Sequence, residues 1–315
     1  MRIPIAECAS RLDELFTKAV GVIEHDLRVG AKIRTAVRDF DRCELDSAAR
    51  LGNQRVDALA DMRRRAAAEQ RRADDDNPRW RDMFARIPNV RDLGGIPTKS
   101  GGEVRSGIII RSGTPEHATP EDVTALVDSL GVGSVVDVRA PKEAAAGRGL
   151  LNNRNDVVAL NMPIGSPVPQ VPGKTDFVKV YRESLEASPE SIVALARHVL
   201  DADGAVLIHC LHGKDRTAVA VAALLDGLGV SSKEILADFM LTNRRLEQIR
   251  SVEGIRPPRP AQARAMTGAL DILESHNRRL GLSDGGGYLL AHGFTTDELV
   301  RLRAKATTGQ IERSE

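Results

Sequence analysis

A-V-L-I-H-C-L-H-G-K-D-R-T-A-V-A-V-A-A-L-L, residues 205–225, sets a polar cluster between two apolar runs. It opens on four apolar residues, which read as a short buried strand, and closes on an apolar run that reads as a helix. The polar cluster His209 to Thr217 therefore sits on a strand-to-helix turn. In an open α/β sheet the ligand lies beyond the carboxyl ends of the strands, which is where this cluster falls.

Working outward, the same alternation recurs. G-I-I-I-R (107–111), S-V-V-D-V (134–138) and D-V-V-A-L (156–160) read as strands. T-P-E-D (119–122) reads as a helix start, with Thr119 as cap, Pro120 in the first position and acids in the first turn. S-P-E (188–190) begins another helix, and Ser231/Glu234 and Thr295/Glu298 have capping-box spacing. Two Pro/Gly-rich loops are expected at 163–174 and 254–260, and D-G-G-G-Y (284–288) reads as a flexible joint between C-terminal helices. Strands separated by helices imply an α/β fold with a mostly parallel central sheet flanked by helices.

Residues 1–80 differ: apolar positions recur at helical spacing with no strand signal, so an all-helical N-terminal extension is expected ahead of an 81–315 domain. Its basic run at 63–72 reads as a solvated helix face, and D-D-D-N-P (74–78) as a linker or helix boundary. The extension is a candidate dimer or partner surface. A formal net charge of +1 over 315 residues gives no global field toward nucleic acid or an anionic membrane, and aromatics are scarce for base stacking. No apolar run reaches the roughly 20 residues of a membrane span. The N-terminus lacks a signal-peptide pattern, and three unpaired-looking cysteines suit a reducing compartment, so a cytoplasmic location is expected. Cys8 and Cys43 read as small core residues rather than redox partners of Cys210.

A loop between strand end and helix start can turn successive N–H groups inward as an anion nest, with the helix adding its positive end. Gly213 permits a backbone conformation that a β-carbon resists, and Arg216 offers a planar fork for two phosphate oxygens. Cys210 heads this nest, where a thiolate is favoured and aimed at the bound anion. Asp215 is the only acid in the loop and the candidate proton donor, and Thr217 can donate a hydrogen bond to the sulfur. His209 reads as a brace for the loop backbone rather than a proton carrier. A metal reading of His209, Cys210 and His212 is weaker, since three ligands within four residues cannot wrap one ion without a fourth. No metal or cofactor is implied.

The loop resembles the C-x5-R signature of the cysteine-dependent phosphatases. H-C-L-H-G-K-D-R-T is similar to the H-C-x-x-G-K-D-R-T motif of the atypical bacterial tyrosine phosphatases, the secreted, lipid-phosphatase-like enzymes of mycobacteria and their relatives. N-V-R-D-L-G-G (89–95), I-I-R-S-G (109–113), V-D-V-R-A-P-K-E (136–143), A-D-F-M-L-T-N (237–243) and G-G-Y-L (286–289) follow in the family's order, so the resemblance covers about residues 85–305. It implies a cysteine-dependent phosphatase fold and phosphomonoester hydrolysis through a cysteinyl-phosphate, without a metal. It carries the general acid over to Asp215 and the substrate cradle to Leu211, His212, Gly213, Lys214 and Thr217, with Asp137 nearby. Lys214 is the position associated with activity on phosphoinositides as well as phosphotyrosine. Arg139 and Glu143 are expected to be near the site or to form a structural pair. There is no W-P-D acid loop, the one tryptophan being Trp80, which fits an acid inside the loop. Two positions depart from the pattern: His212 replaces a small residue, and Ala218 replaces a glycine.

Three functions compete. The first is a phosphatase of phosphotyrosine or phosphoinositide head groups. The second is a phosphatase of a small phosphorylated metabolite such as a sugar, inositol or nucleoside phosphate. The third is a binding module that holds phosphate without turnover, against which the intact Cys210, Asp215 and Arg216 argue. The partner is accordingly a phosphorylated protein, a lipid head group or a small molecule.

Overall fold

The computed structural model describes residues 84, 86–147, 149–165, 175–252 and 258–308. Along the chain these form β1 (Arg91–Asp92), β2 (Ile109–Ser112), α1 (Pro120–Thr124), which runs on as a π turn to Ser129, and β3 (Val132–Asp137). Next come α2 (Pro141–Ala146), β4 (Val158–Asn161), α3 (Phe177–Ala187), α4 (Pro189–Asp201) and β5 (Ala205–His209). The last elements are α5 (Arg216–Gly227), α6 (Ser232–Leu241), α7 (Leu246–Ser251), α8 (Ala263–Arg279), α9 (Gly287–Ala291) and α10 (Thr296–Ala306). The helical reading of residues 1–80, its basic run, the 74–78 break, Cys8 and Cys43 lie outside the described residues, as do parts of the loops expected at 163–174 and 254–260.

The sheet order is β1-β2-β5-β3-β4. β2, β5, β3 and β4 are mutually parallel, and only the two-residue β1 runs antiparallel, against β2. β5 is central, with Leu207 opposite Ile110 on one side and Val135 on the other. All five of its residues are buried, as expected of a parallel strand covered on both faces. Its alternation divides the core. Val206 and Ile208 join the larger cluster with α3, α4, α5 and α8, while Ala205 and Leu207 join the smaller one with Val123, Leu126 and Leu151. α5 is buried along its whole length from Thr217 to Gly227, so its apolar run is a core helix rather than an amphipathic one.

Two of the expected caps form in full. Thr119 and Asp122 close a capping box on α1 with Pro120 in its first turn, and Thr295 with Glu298 closes one on α10. At α6 the Ser231 side chain accepts from the Glu234 amide. The D-G-G-G-Y segment is not a flexible joint. Gly285 and Gly286 are buried with φ of 82° and 88°, and the buried Asp226 accepts from the Gly286 amide and the Asn277 side chain. A β-carbon at 285 would stand 2.2 Å from the Asp226 carbonyl oxygen, so the glycines serve a locked turn. Among the described residues, no helix is long and apolar enough to cross a membrane.

Candidate active site

The loop joining β5 to α5 is fixed from behind through its carbonyls. Cys210 O accepts from His209 Nδ1 at 3.2 Å and Leu211 O from the Thr114 amide at 2.9 Å. His212 O and Gly213 O accept from Asn89 Nδ2 at 3.1 and 3.0 Å, and Gly213 O also accepts from Arg111 Nη2 at 2.7 Å. In a trans peptide the carbonyl and the following N–H point opposite ways. Four successive carbonyls directed into the scaffold therefore turn the amides of residues 211–214 to the other side, which is the geometry of an anion nest. Gly213 has φ of 64°, and a β-carbon there would meet Ser112 O at 2.3 Å. Cys210 is a free thiol, 3% exposed, at the head of the turn.

Behind the loop lies a buried charge network that unites three of the flanking motifs. Arg91 Nε donates to Asp238 Oδ1 at 3.0 Å, Arg111 Nη1 pairs with Asp238 Oδ2, and Arg91 Nη1 donates to Asn89 Oδ1 at 2.6 Å. Asn89 sits in the left-handed region with φ of 62°, which asparagine tolerates better than most side chains. Its amide thus links Arg91 to the loop carbonyls. Burial, then the like charge of Arg91, brings the Arg111 guanidinium down to about 10 despite Asp238, so it stays charged at neutral pH.

On the open side, Asp215 is the cap residue of α5 but makes no side-chain cap bond. Its Oδ1 accepts from Tyr181 Oη at 2.7 Å and from Lys214 Nζ at 2.8 Å, and Lys214 Nζ lies 5.7 Å from the centre of the Phe177 ring. Arg216 donates through Nη1 and Nη2 to the two oxygens of Glu143, at 2.6 and 3.1 Å. Burial works against the Arg216 charge, but Glu143 and the neighbouring Cys210 raise it overall, and the bond from Arg216 holds Glu143 below the usual carboxylate range. Arg139 and Glu143 are therefore not a pair. Arg139 instead grips both oxygens of Asp137 and bonds Glu116.

Asp137 is buried under that grip at the end of β3. Burial opposes its charge, and the Arg139 bonds with His209 nearby bring it below its ordinary value overall. His209 is buried, with Nε2 lacking a hydrogen bond and lying 3.9 Å from Asp137 Oδ2. Thr217 Oγ1 is also buried with no hydrogen-bond partner, so no bond from it to the Cys210 sulfur is present. Leu211, His212, Asp215 and Arg216 are half-buried, and Gly213 and Lys214 are buried. The loop thus brings all the candidate residues together except Asp137, which lies against its neighbour His209.

Sequence reasoning assigned no role to Asn89, Arg91, Arg111 or Asp238, although all four stand in motifs it quoted. Tyr181 and Glu116 were missed outright. The signal for Tyr181 was thin: one of only two tyrosines in the chain, on a helix with no motif. Among the described residues, no group of three or more His, Cys, Asp or Glu side chains is placed to hold a metal ion.

A family model described as the tyrosine phosphatase family matches residues 83–308. A Cupriavidus necator protein named as a tyrosine-protein phosphatase is 34% identical over 176 residues, covering 52% of this chain and 64% of that one. A Nostoc commune tyrosine-protein phosphatase is 29% identical, covering 44% and 49%. The triple specificity protein phosphatase PtpB of Mycobacterium tuberculosis is 27% identical over 197 residues, covering 52% and 69%. The chain thus spans between about half and two thirds of the curated relatives it matches. Among solved structures, the catalytic core of the PP-IP phosphatase Siw14 from S. cerevisiae aligns with a TM-score of 0.31 at 16% identity, over 58% of this chain and 95% of that one. TpbA of P. aeruginosa in complex with pTyr aligns with a TM-score of 0.30 at 19% identity, over 54% and 89%.

Proposed function

This chain belongs to the tyrosine phosphatase family, and on that premise we propose that it hydrolyses phosphate monoesters through a cysteinyl-phosphate, acting on phosphotyrosine and on phosphoinositide head groups. The observation that carries the reading is the loop whose carbonyls at 210–213 are all tied back to the scaffold, leaving the amides of 211–214 to face an anion. The names of the relatives support phosphotyrosine as the substrate class.

The phosphate rests on the loop amides and the Arg216 fork. The Cys210 sulfur attacks phosphorus, forming the S–P bond as the ester P–O bond breaks. Asp215 gives its proton to the leaving oxygen, and the alcohol departs. Water then attacks phosphorus, Asp215 takes a proton from it, and the S–P bond breaks to release inorganic phosphate and the thiolate. Thr217 carries an unbonded hydroxyl one residue beyond Arg216, available to the departing sulfur. Phosphate monoesters are so inert that enzymes accelerate them by up to roughly 10²¹-fold, and preorganised charge stabilisation is the largest part of such effects.

Two measurements test this. Phosphate release from a small aryl phosphate should vanish in Cys210→Ser, and activity surviving in that variant would exclude the covalent route. A panel of phosphotyrosyl peptides, phosphoinositides and sugar, inositol or nucleoside phosphates then ranks substrates by kcat/KM. A preference for the small metabolites would overturn the substrate assignment while leaving the chemistry in place.

A further inference from the structure

Asparagine and aspartate at a helix N-cap ordinarily fold their side chain onto the first free amides of the helix. Asp215 occupies that place on α5 and does not do so. Its carboxyl is drawn to two donors that converge on one oxygen, the Tyr181 hydroxyl at 2.7 Å and the Lys214 ammonium at 2.8 Å. Tyr181 comes from α3, 34 residues earlier in the chain, and is 1% exposed. Its ring is held edge-on against Phe239 of α6, with centroids 5.9 Å apart. A rigid phenol on a packed helix is thus aimed at a loop carboxyl whose local preference lies elsewhere.

We propose that Tyr181 is a positioning residue for the reaction: with Lys214 it pins Oδ1 of Asp215, so that Oδ2 is the oxygen that carries the proton to and from the substrate. The proposal rests on the reading of Asp215 as the general acid. In a protonated carboxyl, the oxygen that accepts two hydrogen bonds is the carbonyl oxygen, and the proton sits on the other. Oδ2–H then gives its proton to the ester oxygen as the P–O bond breaks. The carboxylate keeps Oδ1 in place, and Oδ2 receives the proton of the attacking water as the S–P bond breaks. Tyr181 exchanges no proton in either step. Burial, with the nearby Asp215 charge, keeps its hydroxyl protonated far above neutral pH, so it is a donor throughout. Its contribution is to remove the rotational freedom of a short side chain whose reach decides whether the proton arrives at all.

Tyr181→Phe removes one oxygen and keeps the ring that packs on Phe239. The experiment compares kcat/KM of the full chain, of Tyr181→Phe and of Asp215→Asn on aryl phosphates of graded leaving-group pKa, with inhibition by vanadate measured alongside. General acid–base catalysis contributes roughly 10²–10⁴-fold, and the proposal places at least about a tenfold share of it in this contact for the poorest leaving group. Tyr181→Phe should therefore steepen the dependence on leaving group, as Asp215→Asn does more strongly, and leave vanadate inhibition unchanged. Phe239→Leu, which loosens the ring packing but keeps the hydroxyl, should lower the melting temperature and steepen that dependence much less than Tyr181→Phe does. A uniform loss in Tyr181→Phe, or the same steepening in Phe239→Leu, overturns the proposal and leaves the Asp215 assignment intact. A flat response in Asp215→Asn overturns that assignment and the proposal together.

Discussion

At the scale of single residues, Arg216 shows why charge alone does not describe the site. A guanidinium has five N–H donors in a fixed plane. Glu143 engages two of them, one on each terminal nitrogen, which leaves three for a bound phosphate. A lysine in its place has three donors on one tetrahedral nitrogen; serving Glu143 with one leaves two, which cannot lie in a common plane with it. Arg216→Lys should thus keep the fold and the net charge and lose at least about 10²–10³-fold in kcat/KM, the scale seen when one donor to a developing oxyanion is removed. The check is steady-state turnover of an aryl phosphate beside a circular-dichroism melt. A variant within a few-fold of the parent would mean that the fork does not grip the phosphate.

At the scale of elements, β1, β2 and α6 meet behind the loop through two arginines and one aspartate, all nearly sealed from solvent. Asp238→Asn keeps the shape and removes the negative charge, leaving Arg91 and Arg111 as buried like charges deprived of the carboxylate they share. Breaking a buried ion pair costs about 3–5 kcal/mol. The expected result is a urea midpoint lowered to match, with the m-value unchanged, and activity reduced as Arg111, no longer held by the Asp238 carboxylate, loosens on Gly213 O while Asn89 still holds it. This network also marks the limit of what the sequence displays. β5 and α5 announce themselves because burial on both faces makes them continuous apolar runs, and β2 and β3 carry shorter ones, whereas β4 is a largely exposed edge strand. Arg91, Arg111 and Asp238 take no role from the sequence, because a linear pattern carries no record of partners 127 and 147 residues away. β1, two residues long, is below any periodicity. Arg139 and Glu143 have the i, i+4 spacing of a helical pair, but α2 begins only at Pro141, so they share no helix face and diverge to different partners. The glycines at 285–287 suggest freedom in sequence, while their neighbours Asp226 and Asn277 remove it.

At the scale of the whole molecule, the central strand ends in a histidine that the core must keep neutral. His209 is buried between Asp137 and the loop, and burial pushes its pKa below the ordinary value even though the Asp137 charge opposes the shift. His198 and His292 are lowered as well, by burial first and then by the neighbouring Lys305 and His276 respectively. A histidine whose folded pKa lies below its unfolded value of about 6.5 contributes stability that is fully present above that pH. That stability is lost as the pH falls toward the folded value, because only the unfolded chain takes up the proton. Burial raises the pKa of Asp226 and Asp122, which works the other way: their cost is relieved as the pH falls through their folded values. The histidine effect therefore has to be isolated by substitution. In His209→Asn the amide nitrogen takes the place of Nδ1, which now donates to Cys210 O, and the titrating ring is removed. Urea unfolding of the parent and the variant at about pH 7.5 and about pH 5.5, either side of the unfolded value, measures the term directly. The parent should lose more stability than the variant across that interval, by up to about 1.4 kcal/mol for each unit by which His209 is depressed within it. Equal losses would mean that His209 takes up its proton in the folded protein as readily as in the unfolded chain, and that the strand end beneath the loop carries a charged ring.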